Sequence, residues 1–97
     1  MGVRNMRVYI GRYGKTVSID LPFLTEKELI LLRMLMQGMN LSDISQRRER
    51  SVKTISTQKR CLYKKLGIKS DITFWADIFF MYSDRITISS EIKILTS

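Results

Sequence analysis

The residues best suited to chemistry in this sequence lie in one basic segment, residues 47–69. It holds nine of the seventeen Lys and Arg residues and a single acid, Glu49, whereas the rest of the chain has equal numbers of acidic and basic residues. Ammonium, guanidinium and hydroxyl groups at this density can bind phosphate oxygens and the edges of nucleobases. A solvated helical face is the simpler alternative. Because the charge is confined to one segment, the sequence favours a polyanion, with nucleic acid ahead of an anionic membrane or an acidic protein.

The residue inventory argues against an enzyme. The sequence has no histidine and one cysteine, Cys61. The commonest general base is therefore absent, and neither an intrachain disulfide nor a cysteine-based zinc site can form. The nine acids are scattered and no glycine-rich phosphate loop occurs. We therefore expect no catalytic residue, no cofactor and no metal, and nothing indicates a small-molecule ligand.

The apolar runs indicate a cytoplasmic protein with no membrane partner. The N-terminus lacks the apolar core of a signal peptide. The most apolar run, residues 72–82, contains Asp77 and is shorter than the roughly 20 residues that cross a bilayer.

The chain divides into three parts by the period of its apolar residues. Residues 1–22 alternate in a strand-like way around Gly14, which predicts a β-hairpin extension that Pro22 ends. Residues 23–83 have helical spacing and are expected to form four helices. Residues 84–97 alternate again, with Ile92 and Ile94 among the apolar positions, and are expected to form a tail with one or two short strands. The fold class is thus mainly α, with a short N-terminal hairpin and an optional C-terminal strand.

Local signals give the ends of the four helices. Thr25 and Glu28 form a capping box, with Leu24 and Leu29 as a hydrophobic staple. The remaining boundaries are a stop at Gly38, caps at Asn40 and Ser51, a stop at Gly67, and a fourth helix opened by Ser70 or Asp71 that runs over residues 72–82.

The predicted third helix is amphipathic. Its buried stripe is expected to contain Val52, Ile55, Leu62 and Leu66, and we assign Cys61 to packing as well. Its opposite side carries Lys53, Ser56, Thr57, Arg60 and Lys64. Two short helices joined by a tight turn, the second basic and amphipathic, are typical of a helix-turn-helix that places the second helix in the DNA major groove.

The landmarks of these helices resemble those of the LuxR/GerE-type helix-turn-helix family over about 55 residues. The matching motifs are Leu24-Thr25-Glu26-Lys27-Glu28, Gly38, Asp43-Ile44-Ser45, Ser51-Val52-Lys53-Thr54-Ile55 and Lys65-Leu66-Gly67-Ile68. The resemblance implies a four-helical domain of a bacterial transcription regulator, sequence-specific binding to double-stranded DNA, and a recognition helix at about residues 51–66.

A narrower resemblance is to the N-terminal domain of enterobacterial cyclic-di-GMP phosphodiesterases of the PdeL (YahA) type. It rests on the strand-like opening and on the runs 35–39, 53–56, 65–68 and Ser70-Asp71-Ile72-Thr73-Phe74-Trp75. Those proteins continue into an EAL catalytic domain, which this sequence lacks. The chain is therefore either a stand-alone relative or the DNA-binding fragment of a longer protein.

The family resemblance also implies roles for individual residues. Base-reading positions fall at Ser56, Thr57 and Arg60. Phosphate contacts are expected from Ser51, Thr54, Lys59 and Lys65, together with Lys53 and Lys64 at the helix margins. Thr54 has an equally good role in the first turn of its own helix. Arg48, Ser56 and Gln58 depart from the family pattern, so no family operator is transferred.

The predicted fourth helix favours a protein partner. Its aromatic residues spread around the helix, and a domain of this size cannot cover them all. Either the terminal strands or a second subunit must cover the remainder. Trp75, Phe79, Phe80 and Tyr82 are therefore candidates for a dimer contact, and we expect a homodimer on DNA. The competing function is a protein-interaction or heterodimerising module, and RNA binding is a weaker third option.

Overall fold

The structure, a computed structural model, describes residues 5–90. A three-stranded antiparallel sheet lies beside four helices, and residues 91–97 of the predicted tail lie outside the described residues. In chain order the elements are β1 (Asn5–Ile10), β2 (Lys15–Asp20), α1 (Glu26–Met36), α2 (Leu41–Arg48), α3 (Val52–Leu66), α4 (Phe74–Met81), a 3-10 turn (Ser83–Arg85) and β3 (Ile86–Ser90).

The sheet joins the two ends of the described chain. β2 is its central strand, with Val8 opposite Val17 in β1 and Ile88 opposite Val17 in β3. The hairpin turns through residues 11–14, where Gly14 has a φ of 60°. The predicted hairpin and C-terminal strand are confirmed, and the two are parts of one sheet.

The predicted helix caps are formed. The Glu28 N–H donates to Thr25 Oγ1 at 3.2 Å and the Thr25 N–H donates to Glu28 Oε1 at 2.8 Å, which is the reciprocal pattern of a capping box. The Asp43 N–H donates to Asn40 Oδ1 at 2.8 Å, so α2 is capped as expected. These caps satisfy backbone donors that the first turn of a helix leaves free.

One hydrophobic core holds the sheet and the helices together. The inner face of the sheet buries Met6, Val8, Val17 and Ile19, and α1 packs against β1. The helices contribute Leu31, Leu32, Ile44, Ile55, Leu62, Leu66, Phe74 and Ile78. The four-helix fold with its added sheet is thus confirmed.

Two predictions of packing in α3 are wrong. Val52 is 46% exposed, and Cys61 is also exposed. At about 100° per residue, Val52 points roughly 60° away from Ile55, and Cys61 points roughly 100° away from its buried neighbour Leu62. The buried stripe therefore contains Ile55, Leu62 and Leu66 only.

The fourth helix begins later than predicted. α4 starts at Phe74, because side chains hold residues 70–73 in a turn: Ser70 Oγ accepts from the Thr73 N–H at 3.2 Å, and Asp77 Oδ2 accepts from the Lys69 N–H at 2.8 Å. Ile72 lies in this turn, outside α4, and is 95% exposed. None of the helices within residues 5–90 has the length and apolar character needed to cross a membrane.

Candidate nucleic-acid interface

The turn between α2 and α3 fixes how the two helices are joined. Glu49 ends α2 in the left-handed conformation, with a φ of 54°. The Arg50 N–H then donates to the Ser45 carbonyl at 3.0 Å, and Ser51 caps α3 by accepting from the Thr54 N–H at 3.1 Å. Ile44 of α2 and Ile55 of α3 are both fully buried. The arrangement is a helix-turn-helix with a short, hydrogen-bonded connection.

Four residues form an exposed stripe along α3, which we call the outer stripe: Lys53, Thr57, Arg60 and Lys64. Their spacing of four, three and four residues places them on one side of the helix, opposite the buried Ile55. The stripe combines three cations with one hydroxyl and contains no acid. It can therefore donate hydrogen bonds to phosphates and to base acceptors.

The three predicted base-reading residues do not share one environment. Thr57 and Arg60 lie on the outer stripe, whereas Ser56 is half-buried. Ser56 lines a groove of about 330 Å³ beside α3, together with Leu41, Lys59, Arg60, Tyr63, Ser70 and Asp71. Ser56 thus lies on the flank of the helix, next to Arg60.

Lys59, a predicted phosphate contact, is bound within the protein. Its Nζ lies 2.8 Å from Asp71 Oδ1, and its side chain is only 19% exposed. Tyr63 Oη donates to the same carboxylate oxygen, and the Lys59 Nζ lies 5.4 Å from the centre of the Tyr63 ring. The hydrogen bonds from Lys59 and from Tyr63 lower the pKa of Asp71 below its ordinary value. Burial and the Asp71 hydrogen bond raise the pKa of Tyr63.

Lys65, another predicted phosphate contact, is bound in the same way. Its Nζ lies 3.0 Å from Oε1 of Glu28, the residue that completes the capping box of α1. Partial burial raises the pKa of Glu28, but the hydrogen bonds from the Thr25 N–H and from Lys65 outweigh it, so that pKa lies below its ordinary value. Lys65 thereby ties the end of α3 to the start of α1.

The remaining predicted phosphate contacts differ in whether their side chains are already hydrogen-bonded within the protein. Ser51 and Thr54 are exposed, but they bond to each other, since Ser51 Oγ donates to Thr54 Oγ1 at 2.9 Å. Lys53 and Lys64 are exposed members of the outer stripe. Arg47 and Arg50 add exposed charge at the turn before α3, and Arg48 is half-buried. Within residues 5–90 no cluster of three or more potential metal ligands occurs.

The four dimer candidates also have different environments. Trp75 and Phe79 are half-buried and stack on each other, with ring centres 5.4 Å apart. Tyr82 Oη donates to the Leu66 carbonyl at 2.8 Å, which joins α4 to the end of α3. Phe80 is 84% exposed, and Met81 beside it is 52% exposed. The free apolar surface of α4 is therefore centred on Phe80.

Sequence reasoning missed both ion pairs. The partners are separated by 12 residues in Lys59–Asp71 and by 37 in Lys65–Glu28, so no local spacing rule relates them. One sequence signal concerned the surroundings of Lys59. Its i, i+4 spacing from Tyr63 places both side chains on the same flank of a helix.

Comparison with known proteins identifies the family. Residues 22–74 match "GerE: Bacterial regulatory proteins, luxR family". The chain belongs to the luxR family of bacterial regulatory proteins. The matched residues run from Pro22, shortly before the α1 cap at Thr25, to Phe74, the first residue of α4, and so include the whole helix-turn-helix. The family assignment made from the sequence landmarks is confirmed.

Several relatives share this region. The chain is 55% identical over 83 residues to the cyclic di-GMP phosphodiesterase PdeL of Escherichia coli K12, an alignment that covers 84% of this chain and 23% of PdeL. It is 48% identical over 71 residues to the HTH-type transcriptional regulator YuaB of the same strain, covering 72% of this chain and 20% of YuaB. It is 41% identical over 49 residues to the transcriptional regulatory protein RcsB of Escherichia coli K12, covering 50% of this chain and 23% of RcsB. No solved structure gives a significant match.

The luxR-family domain and its regulator relatives support DNA binding and transcription regulation as the role of this chain. The chain spans between a fifth and a quarter of the length of these relatives. The resemblance to the PdeL type is confirmed for the N-terminal region that the two chains share. The activity in the name of PdeL belongs to a much longer protein.

Proposed function

We propose that this chain binds double-stranded DNA in a sequence-specific way, with α3 in the major groove. The observation that carries the proposal is the outer stripe, which exposes Lys53, Thr57, Arg60 and Lys64 on one side of a single helix. An α-helix fits the major groove of B-DNA, where each base pair presents a distinct pattern of donors and acceptors.

Arg60 is the residue we propose for direct recognition of a base. Its guanidinium is exposed at the middle of the outer stripe, and two parallel hydrogen bonds from a guanidinium to guanine O6 and N7 are the commonest specific contact in DNA complexes. Thr57, one turn earlier, presents a hydroxyl and a methyl group that can contact a base or a thymine methyl. Ser56 on the flank completes the proposed set.

Lys53 and Lys64 are the proposed first contacts with phosphates, since both ammonium groups are exposed at the two ends of the outer stripe. Ser51 and Thr54 stand at the N-terminus of α3, where the free N–H groups and the helix dipole attract phosphate. Lys59 and Lys65 contact phosphate only if they leave Asp71 and Glu28.

Two subunits are proposed to bind together, with their recognition helices about one turn of DNA apart. The exposed Phe80 and Met81 of α4 supply an apolar surface that a second copy would cover. The same surface favours a second candidate function, that of a protein-interaction or heterodimerising module.

Selection of bound duplexes from a random DNA library, followed by affinity measurements on the selected site, tests the function. Arg60→Ala is expected to relax the preference at one base position and to cost about 1–3 kcal/mol on the selected site. Lys64→Ala is the matched control one turn further along the stripe. It is expected to weaken all duplexes equally and to reduce the slope of log K against log salt by about 0.9. Recovery of no preferred sequence would refute sequence-specific binding, and equal losses on all duplexes for both variants would remove Arg60 from base reading.

A further inference from the structure

Two lysines of α3 differ from the other cations of the helix because carboxylates from other segments hold them. Lys59 is bound by Asp71, in the turn before α4, and Lys65 is bound by Glu28 of α1. The side chain of Lys59 is 19% exposed and that of Lys65 is 39% exposed. The side chain of Lys59 is therefore the less accessible of the two to solvent and to a phosphate.

The surroundings of Lys59 fix its ammonium group in one place. Asp71 accepts from both Lys59 and Tyr63, and the ammonium also lies near the Tyr63 ring. The side chain of Asp71 is 70% exposed and lines the groove that Ser56 and Arg60 share. A negative charge thus stands beside the residues proposed to read bases, and it neutralises one cation of the helix.

Because its carboxylate is mostly exposed, this ion pair contributes little to the stability of the fold. Its effect on a polyanion partner is larger, because each additional lysine–phosphate contact releases a counterion and steepens the salt dependence of binding. Phosphate and Asp71 compete for the same ammonium group. While Asp71 holds Lys59, α3 makes one contact fewer than its sequence allows.

We propose that Asp71 is a positioning residue that acts through Lys59: it keeps this ammonium group off the DNA backbone and so limits base-independent affinity. The proposal rests on DNA binding by α3 as proposed above. It assigns Asp71 to the control of binding, in addition to any role in joining the turn 70–73 to α3.

The test is a double-mutant cycle on the full chain: wild type, Asp71→Asn, Lys59→Gln and both together. The affinity for one scrambled duplex and one selected duplex is measured from 50 to 200 mM salt. Asp71→Asn is expected to steepen the slope of log K against log salt by about 0.9, so that affinity falls about threefold more over this range. Lys59→Gln and the double variant are expected to keep the wild-type slope.

Asp43→Asn is the matched control for the loss of a negative charge. Asp43 is exposed in the first turn of α2, away from the turn 70–73, and it takes part in the α2 cap through its backbone N–H, which donates to Asn40 Oδ1. This variant is expected to leave the slope unchanged. A steeper slope in Asp43→Asn, or in the double variant, would mean that net charge and not Lys59 is responsible, and would overturn the proposal.

Thermal unfolding would reveal whether Asp71→Asn folds. If it does not, Lys59→Gln can still overturn the proposal. A slope that becomes shallower by about 0.9 in Lys59→Gln would show that Lys59 already contacts phosphate in the wild type, and would overturn the proposal. Absence of duplex binding by the wild-type chain at 50 mM salt is a different result, because it refutes the proposed function itself.

Discussion

α3 and α4 follow each other along the chain and pack into the same core, yet they expose opposite chemistry. α3 exposes the cations and the hydroxyl of the outer stripe, whereas α4 exposes Phe80 and Met81. Cations are stable in water, so a water-exposed stripe of them needs no cover. Covering exposed apolar groups with another surface is favourable, because it removes them from water. The difference supports the proposal that α3 binds a polyanion and that α4 contacts protein.

The buried sides of the two helices are alike. Ile55 and Leu62 of α3 and Ile78 of α4 are almost completely buried in one core. Gly67 and the Tyr82 hydrogen bond to the Leu66 carbonyl connect the helices outside that core. The contrast between α3 and α4 therefore lies only in the side chains that point outward. Substitutions in either helix can test it.

The largest effect is expected when the buried side of α3 is removed. Ile55→Ala should lower the free energy of unfolding by about 2–5 kcal/mol, because a fully buried side chain leaves a cavity. Thr57→Ala, on the outer stripe two residues later, should change it by no more than about 0.5 kcal/mol. Chemical denaturation of both variants checks this, and equal losses would contradict the division of α3 into a buried and an exposed side.

The next effect concerns the junction of the two helices. Gly67 has a φ of 83°, so Gly67→Ala should destabilise the chain by about 1–2 kcal/mol through the left-handed backbone. A Cβ at this position would also lie 2.7 Å from Met81 Cε, which a flexible side chain can relieve. Gly38→Ala is the control, since its φ is 85° and a Cβ there would meet no atom within 4 Å. The difference between the two variants in thermal unfolding measures the Met81 contact, and a stable Gly67→Ala would refute the strain.

A smaller effect is expected on the apolar side of the comparison. Phe80→Lys should weaken self-association on DNA about tenfold, or ~1.4 kcal/mol, because an exposed aromatic anchor is replaced by a charge. The stability of the subunit should change little. Sedimentation velocity with the selected duplex provides the measurement. An unchanged stoichiometry and affinity would exclude Phe80 from the interface, and Met81→Lys on the same surface would then locate or exclude the contact.

The smallest expected effect is the pH dependence of the Asp71 ion pair. Lys59 and Tyr63 lower the pKa of Asp71 in the folded chain. The ionised carboxylate therefore stabilises the fold at pH values above the unfolded pKa, which is near 4, and this stabilisation is lost as the pH falls through the folded pKa. Because Asp71 is mostly exposed, the contribution is at most about 1 kcal/mol. Wild type and Asp71→Asn should therefore differ in stability at pH 6 and converge toward pH 2. A difference that persists at pH 2 would show that the carboxylate charge is not the cause.

The sequence was sufficient for much of the fold because its signals are local. Thr25 and Glu28, Asn40, and Ser51 satisfy helix N-termini within three or four residues, so their roles follow from spacing alone. The start of α4 was placed too early, because the turn 70–73 is held by Asp77, a side chain further along the chain. The exposure of Cys61 and Val52 was missed because a coarse helical stripe does not resolve 60–100° around the axis.

The charge, its confinement to residues 47–69 and the helix-turn-helix pattern were determined by the sequence itself, because composition, periodicity and caps involve near neighbours. Only the tertiary structure decided which cations of α3 are held in ion pairs. Lys59 and Lys65 have the same side chain as Lys53 and Lys64, but carboxylates brought from 12 and 37 residues away bind the first pair. The physical reason is that an ion pair depends on distance in space, and only the packing of α3 against α1 and the turn before α4 sets those distances.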